Sequence, residues 1–391
     1  MSLPLVVIGS GLSGWTTVRE FRKLDAATPV VLVTLGGGDF YAKPTLSNAF
    51  AQKRAPEQLV TTPAAALAES LQVTLRAHTR VVGIDTAART VALEGGETLA
   101  YRDLVLATGA HPVRVPLEGD AADRVRSVNS LDDYGLFHRE LPAGATVVVM
   151  GAGLIGCEFA NDLLSAGCRV HLVDPAPAPL STLLPADAGA ALAEALAAAG
   201  AVLHAGATVR AVDAAAAPSD GAAAAPALRV TLSDGTVLPA DAVLSAIGLR
   251  AETALAEAAG IRCERGVCVD DLLRTSAPGV HALGDGAQYA SAGGRLLPYV
   301  MPVMSAARAL AATLAGTPTP VRFPVMPVTV KTPALPIVVA VPGPAHAEGG
   351  RWSRPEDGVW HFHGADGLLR GFVLAGKQTP RRMEQTKLLA S

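Results

Sequence analysis

An α/β fold with two Rossmann-like dinucleotide-binding domains and a small α+β C-terminal domain is predicted by three features of this 391-residue chain. A buried apolar strand, a Gly-x-Gly-x-x-Gly turn and a helix follow one another at the N-terminus. The same succession returns at Thr146, and after about Thr319 the pattern changes to short strands such as Val325 to Val330, Ile337 to Val341, Val359 to Phe362 and Leu369 to Leu374. A single core stops growing near roughly 250–300 residues, so the chain is expected to divide. The divisions read from it are 1–112 with 242–320 as a discontinuous first domain, 113–241 as the second, and 321–391 as the third.

Composition narrows the function classes. Half the residues are apolar, but they come in short runs broken by Gly, Pro and charges, so no segment reads as a membrane span. The opening Met1-Ser2-Leu3-Pro4 lacks the basic start and small-residue cleavage site of a secretion signal, and a cytoplasmic location is expected. A formal net charge of −3 provides no global basic field for nucleic acid or an anionic membrane. Cys157, Cys168, Cys263 and Cys268 form neither a CxxC pair nor a cysteine–histidine metal spacing, so they read as structural thiols and no metal site is expected. His361 and His363 share a strand face without a carboxylate or cysteine nearby and receive no role. The Ala-rich stretch Ala214 to Ala227, with Pro218, Gly221 and Pro226, reads as a flexible hairpin connection.

The chemistry lies in the glycine turns. Leu5 to Ile8 leads into Gly9-Ser10-Gly11-Leu12-Ser13-Gly14, a helix to about Lys23 and a strand Val30 to Val33. Gly9 permits the tight turn, Gly11 lets backbone approach a pyrophosphate, and Gly14 allows close helix–strand packing at a helix N-terminus that favours anions. The usual ribose-binding carboxylate after the second strand is missing, and Thr34 is read as its hydrogen-bonding substitute. The second copy runs Thr146 to Met150, Gly151-Ala152-Gly153-Leu154-Ile155-Gly156, a helix to about Ala166 and a strand Arg169 to Val173. Asp174 then stands where a carboxylate accepts both ribose hydroxyls. A 2′-phosphate would meet its charge, and Pro175-Ala176-Pro177-Ala178 offers no arginine, so NADH is favoured over NADPH. Leu104 to Ala110, containing Ala107-Thr108-Gly109, and Val243 to Gly248 are buried strands ending in glycine turns and read as crossovers. Thr275 to Asp285 reads as a strand whose terminal Gly284-Asp285 presents a carboxylate to a polyol.

Together these motifs resemble, over nearly the whole chain, the FAD-dependent pyridine nucleotide-disulfide oxidoreductases. The resemblance implies FAD on the first fingerprint, NADH on the second, and a flavin ribityl contact at Asp285. Thiol-reducing members carry two cysteines on the helix after the second strand; here Phe40-Tyr41-Ala42-Lys43-Pro44-Thr45-Leu46-Ser47 has none, so disulfide reduction is not expected. That wording, the segment Val328-Thr329-Val330-Lys331-Thr332-Pro333 and the short C-terminal domain are similar to the bacterial rubredoxin reductases. Flavorubredoxin reductases are similar in the same segments, and ring-hydroxylase ferredoxin reductases are more distant, with arginine where Lys43 stands.

The implied reaction passes electrons from NADH through FAD to rubredoxin, an acidic one-electron carrier, for a rubredoxin-dependent system such as alkane hydroxylation. Lys43 is then expected near the flavin N5, with Glu158, at the start of the helix below the nicotinamide site, as its partner. Lys331 is implied beside the isoalloxazine, and Val81 and Ala107 as backbone contacts to FAD. Ser10, Leu12, Thr108, Gly109, Ile155, Gly248 and Val300 complete the implied cofactor-binding set. Lys53-Arg54 and Arg381-Arg382 are the candidate docking cations for an acidic partner. The competing readings are a flavorubredoxin or ferredoxin reductase, an NADH oxidase or peroxidase, which usually needs a cysteine near the Lys43 position, and a flavin-binding redox-signalling protein.

Overall fold

The computed structural model describes residues 2–215, 227–343 and 347–389; residues 216–226, the inner part of the Ala-rich connection, lie outside them. The chain forms two compact units, one of Met1–Lys43, Val60–His111 and Leu249–Pro324, the other of Pro44–Leu59, Pro112–Gly248 and Val325–Ser391.

A five-stranded parallel sheet centres the first unit, in the spatial order Val280–Ala282, Asp103–Leu106, Leu5–Ile8, Val30–Val33, Val73–Arg76. Leu5–Ile8 lies in the middle with all four residues buried, which is why it is apolar at every position rather than at alternate ones. Helices Leu12–Arg22 and Val300–Leu314 pack on each other, and Trp15, Phe21, Ala306, Ala307 and Leu310 join the core with the sheet. An antiparallel meander of Val81–Asp85, Thr90–Leu93 and Thr98–Ala100 makes the crossover between two of the parallel strands.

The expected strand Thr275 to Asp285 is shorter than the sequence suggested. Only Val280–Ala282 is extended in the sheet, because Thr275 bonds back onto its first residue. Its main-chain N–H and its hydroxyl both donate to the Val280 carbonyl, at 2.9 Å each, across a turn closed by Gly279 at φ +72°. Gly284–Gly286 is then a single 3₁₀ turn.

In the second unit a four-stranded parallel sheet runs Ala201–Ala205, Arg169–Asp174, Thr146–Met150, Ala242–Ser245. A three-stranded antiparallel ribbon follows, Val209–Ala214, Leu228–Leu232 and Val237–Ala240. Ala215 donates to the Ala227 carbonyl across the described ends of the Ala-rich stretch. The C-terminal residues form a five-stranded antiparallel sheet in the order Val328–Val330, Ile337–Ala340, Leu369–Ala375, Val359–His363, Arg351–Glu356, with helix Arg382–Leu388 after it. Arg351–Glu356 was not expected as a strand, since it contains Pro355 and alternating charges. It lies at the sheet edge, where a missing N–H and exposed charge are tolerated. Among the described residues, no helix is long and apolar enough to cross a membrane.

Candidate nucleotide and redox sites

The first glycine turn is shaped by absent side chains. A Cβ on Gly9, which sits at φ +110°, would lie 2.2 Å from the Ala107 carbonyl oxygen, and one on Gly14 would lie 1.9 Å from the Gly9 oxygen. A Cβ on Gly284 would meet Ser13 Oγ at 2.1 Å. Gly11 faces open space, and as the N-cap of Leu12–Arg22 it brings no side chain to the helix's first N–H groups. A tightly drawn cradle ending in uncapped N–H donors suits a pyrophosphate.

Other groups of this unit extend the cradle. Ser10 Oγ and Thr34 Oγ1 lie 2.8 Å apart, so the threonine placed in the ribose position is tied to the turn itself. Burial raises the Asp285 carboxyl above the ordinary carboxylate range, against the pull of the Lys43 ammonium. Tyr289 fixes the turn beneath it, its hydroxyl accepting the Gly284 N–H at 2.7 Å. Thr108 donates to the Glu252 carbonyl at 3.2 Å, Gly109 takes φ +73°, Ala107 is buried and Val81 half-buried on the same core, and exposed Val300 opens its helix. Uncapped N–H groups and a desolvated carboxylate that gains from hydroxyl donors fit the pyrophosphate and polyol of FAD.

The second turn repeats this geometry. A Cβ on Gly151, at φ +96°, would lie 2.6 Å from the Ala246 oxygen, one on Gly156 1.8 Å from the Gly151 oxygen, and Gly153 again faces open space. Asp174 ends its strand with one carboxylate oxygen accepting the Ala176 N–H at 2.8 Å and the other accepting the Ala152 N–H inside the glycine turn. The carboxylate is thereby held at the mouth of the cradle, where its remaining lone pairs suit two ribose hydroxyls. Ile155 is exposed on the first turn of the following helix, and Gly248, at φ +115°, accepts the Val113 N–H at 3.0 Å.

That helix, Leu154–Ser165, carries three buried polar residues at helical spacing, Glu158, Asn161 and Asp162. Glu158 Oε1 accepts the Lys331 main-chain N–H at 2.9 Å; Glu158 Oε2 lies 2.6 Å from Lys331 Nζ and accepts the Ser47 hydroxyl at 2.7 Å. The cation on Glu158 within this unit is therefore Lys331, 173 residues away in sequence, a pairing that sequence reasoning missed; Lys43 belongs to the other unit. The stripe of Glu158, Asn161 and Asp162 on an otherwise apolar helix was the available signal that this face receives polar partners.

At the surface, Arg381 forms ion pairs with Glu356 and Glu384. Arg54 is turned onto the Gln58 carbonyl. Burial pushes the Cys157 thiol up to about 12 and the Cys263 thiol up to about 11, consistent with inert rather than redox-active thiols.

Residues 3–311 match the family described as pyridine nucleotide-disulphide oxidoreductase, and residues 320–389 match a rubredoxin-binding C-terminal domain. A rubredoxin-NAD(+) reductase of Alcanivorax borkumensis is 44% identical over 99% of this chain and 98% of its own length. A nitric oxide reductase FlRd-NAD(+) reductase of Aeromonas salmonicida is 41% identical over 97% of this chain and 94% of its own. Among solved structures, the reductase in the covalent putidaredoxin reductase–putidaredoxin complex superposes with a TM-score of 0.86 at 25% identity, covering 99% of this chain and 93% of that one. Both glycine cradles and the matched length lead to one assignment: this chain belongs to the pyridine nucleotide-disulphide oxidoreductase family.

Proposed function

We infer that this protein is a cytoplasmic NADH:rubredoxin reductase, serving a rubredoxin-dependent system such as an alkane hydroxylase. The observation that carries this reading is a rubredoxin-binding domain matched at residues 320–389, on a chain whose remainder holds two separate nucleotide cradles. When bound, FAD supplies the conversion between the two-electron chemistry of nicotinamide and the one-electron chemistry of an iron centre. The chain's own residues bind and orient. The Gly9–Gly14 turn and Asp285 hold one nucleotide, the Gly151–Gly156 turn and Asp174 hold the other and select NADH, and the Lys331–Glu158 pair sets a fixed charge arrangement on the helix that follows the second turn. Segment 40–47 contains no cysteine, so no dithiol relay stands between donor and acceptor.

The Aeromonas relative favours a second reading in which the rubredoxin-type centre is carried on a flavorubredoxin. Steady-state NADH oxidation by the FAD-loaded protein with rubredoxin, flavorubredoxin and a [2Fe–2S] ferredoxin as acceptors separates these. A kcat/KM for rubredoxin at least about tenfold above that for the ferredoxin supports the reading; preference for the ferredoxin overturns it.

A further inference from the structure

We propose that Ser47 is a positioning residue of the redox centre, a hydroxyl bonded at once to the Lys331 ammonium and to the Glu158 carboxylate with which that ammonium pairs directly, holding both in one arrangement. The proposal rests on the reading that Lys331 serves the bound flavin. Ser47 is buried in the 3₁₀ segment Lys43–Asn48, at the residue where the backbone leaves helical geometry with φ −89° and ψ 16°. Its Oγ lies 2.7 Å from Glu158 Oε2, 2.9 Å from Lys331 Nζ and 3.3 Å from the Pro44 carbonyl oxygen.

The donor roles follow from the groups present. An ammonium has only donors and a carboxylate only acceptors. Lys331 therefore donates to Ser47, and the single serine proton goes to Glu158 at the shorter distance. A neutral hydroxyl that accepts from the cation while donating to the anion ties both charges to one atom without adding a charge.

Two independent clamps make the arrangement specific. Asp162 accepts the Phe50 N–H at 3.0 Å and the Ala51 N–H at 2.9 Å, fixing the chain three residues beyond Ser47. Asn161 accepts the Ala334 N–H at 2.9 Å, fixing the chain three residues beyond Lys331. The Phe50 ring adds apolar contact, its centroid 5.1 Å from that of Tyr134. One helix thus anchors the two segments separately and presents Glu158 where they converge. Removing the hydroxyl takes a donor from a buried carboxylate and an acceptor from the ammonium, so the pair loses one of the bonds that fix its geometry.

The test uses the full FAD-loaded chain with Ser47→Ala, Ser47→Thr and Ser47→Cys, beside Lys331→Met. Each is followed by stopped-flow reduction with NADH across pH, flavin midpoint potential and thermal unfolding. Expected for Ser47→Ala are a limiting reduction rate about tenfold lower, half-saturation for NADH within about twofold of the parent, a displaced midpoint potential and a shifted pH profile. Ser47→Thr restores all four, and Ser47→Cys, with a weak donor of similar size, falls between. If the alanine variant does not fold, the cysteine variant carries the same comparison. A variant lacking the hydroxyl that keeps parental rate, potential and pH profile, whatever its melting temperature, overturns the proposal. If Lys331→Met changes these readouts while Ser47→Ala does not, the role of Ser47 alone is lost. If both are silent, the reading of Lys331 has failed and the proposal falls with it.

Discussion

Lys331 holds Glu158 twice, donating its main-chain N–H to Oε1 at 2.9 Å and placing its ammonium 2.6 Å from Oε2. The main chain orients the carboxylate and the side chain neutralises it. Removing one partner of a buried pair leaves an uncompensated charge, a loss of roughly 3–5 kcal/mol when both are fully buried. Lys331 keeps 28% of its side chain in water, so Lys331→Met is expected to cost less, about 2 kcal/mol in denaturant unfolding. Glu158→Gln retains an acceptor for the main-chain N–H and is expected to cost about half as much. Equal stability of all three proteins would show that the pair contributes nothing to this unit.

Asp174 is tied to the turn by Ala152 and to the following chain by Ala176, so its position does not depend on bound nucleotide. Asp174→Ser combined with Ala176→Arg removes the charge that repels a 2′-phosphate and adds one that attracts it. The ratio of kcat/KM for NADPH over NADH is expected to rise on the order of a hundredfold, equivalent to about 2.7 kcal/mol. An unchanged ratio in steady-state kinetics would remove Asp174 from the specificity site.

The two cradles are expected to fail separately. A methyl group on Gly14 meets the Gly9 oxygen at 1.9 Å, and one on Gly156 meets the Gly151 oxygen at 1.8 Å, distances that force the helix away from its strand. Gly14→Ala should yield protein depleted of FAD by absorbance. Gly156→Ala should retain FAD while half-saturation for NADH rises at least about tenfold. Loss of FAD from both variants alike would contradict separate nucleotide sites.

Burial holds the Cys157 thiol up at about 12, so almost none is thiolate at neutral pH. Alkylation by iodoacetamide should be on the order of a thousandfold slower than for an unperturbed thiol. The quadruple replacement of Cys157, Cys168, Cys263 and Cys268 by Ser should still pass electrons to rubredoxin when folded and FAD-loaded. Selective loss of rubredoxin reduction in that protein, with reduction by NADH intact, would reinstate a thiol relay.

Strands that are buried on both faces were legible in the sequence, because residues 5–8 and 147–150 are apolar whatever packs on them and are followed by glycines that neighbouring carbonyls leave no room to replace. Arg351–Glu356 was not, since an edge strand need not alternate and tolerates Pro355. The meander Val81–Ala100 also escaped notice, its strands being short and half-exposed. In the site, the glycine turns and Asp174 follow from local spacing, whereas the Lys331–Glu158 pair and the Ser47 bridge join residues 173 and 111 positions apart. No local pattern encodes such a distance. It arises only when Asn161 and Asp162 draw two remote segments onto one helix.

The most direct measurement of the central claim is anaerobic mixing of the FAD-loaded protein, in catalytic amount, with NADH and excess oxidised rubredoxin, following the absorbance of the rubredoxin iron centre. A two-electron donor feeding a one-electron acceptor should reduce about two rubredoxins per NADH consumed, over many turnovers. The KM for rubredoxin should increase with ionic strength, as for an acidic partner whose encounter is electrostatically steered. NADH consumption that bleaches the bound flavin while rubredoxin stays oxidised would contradict the account.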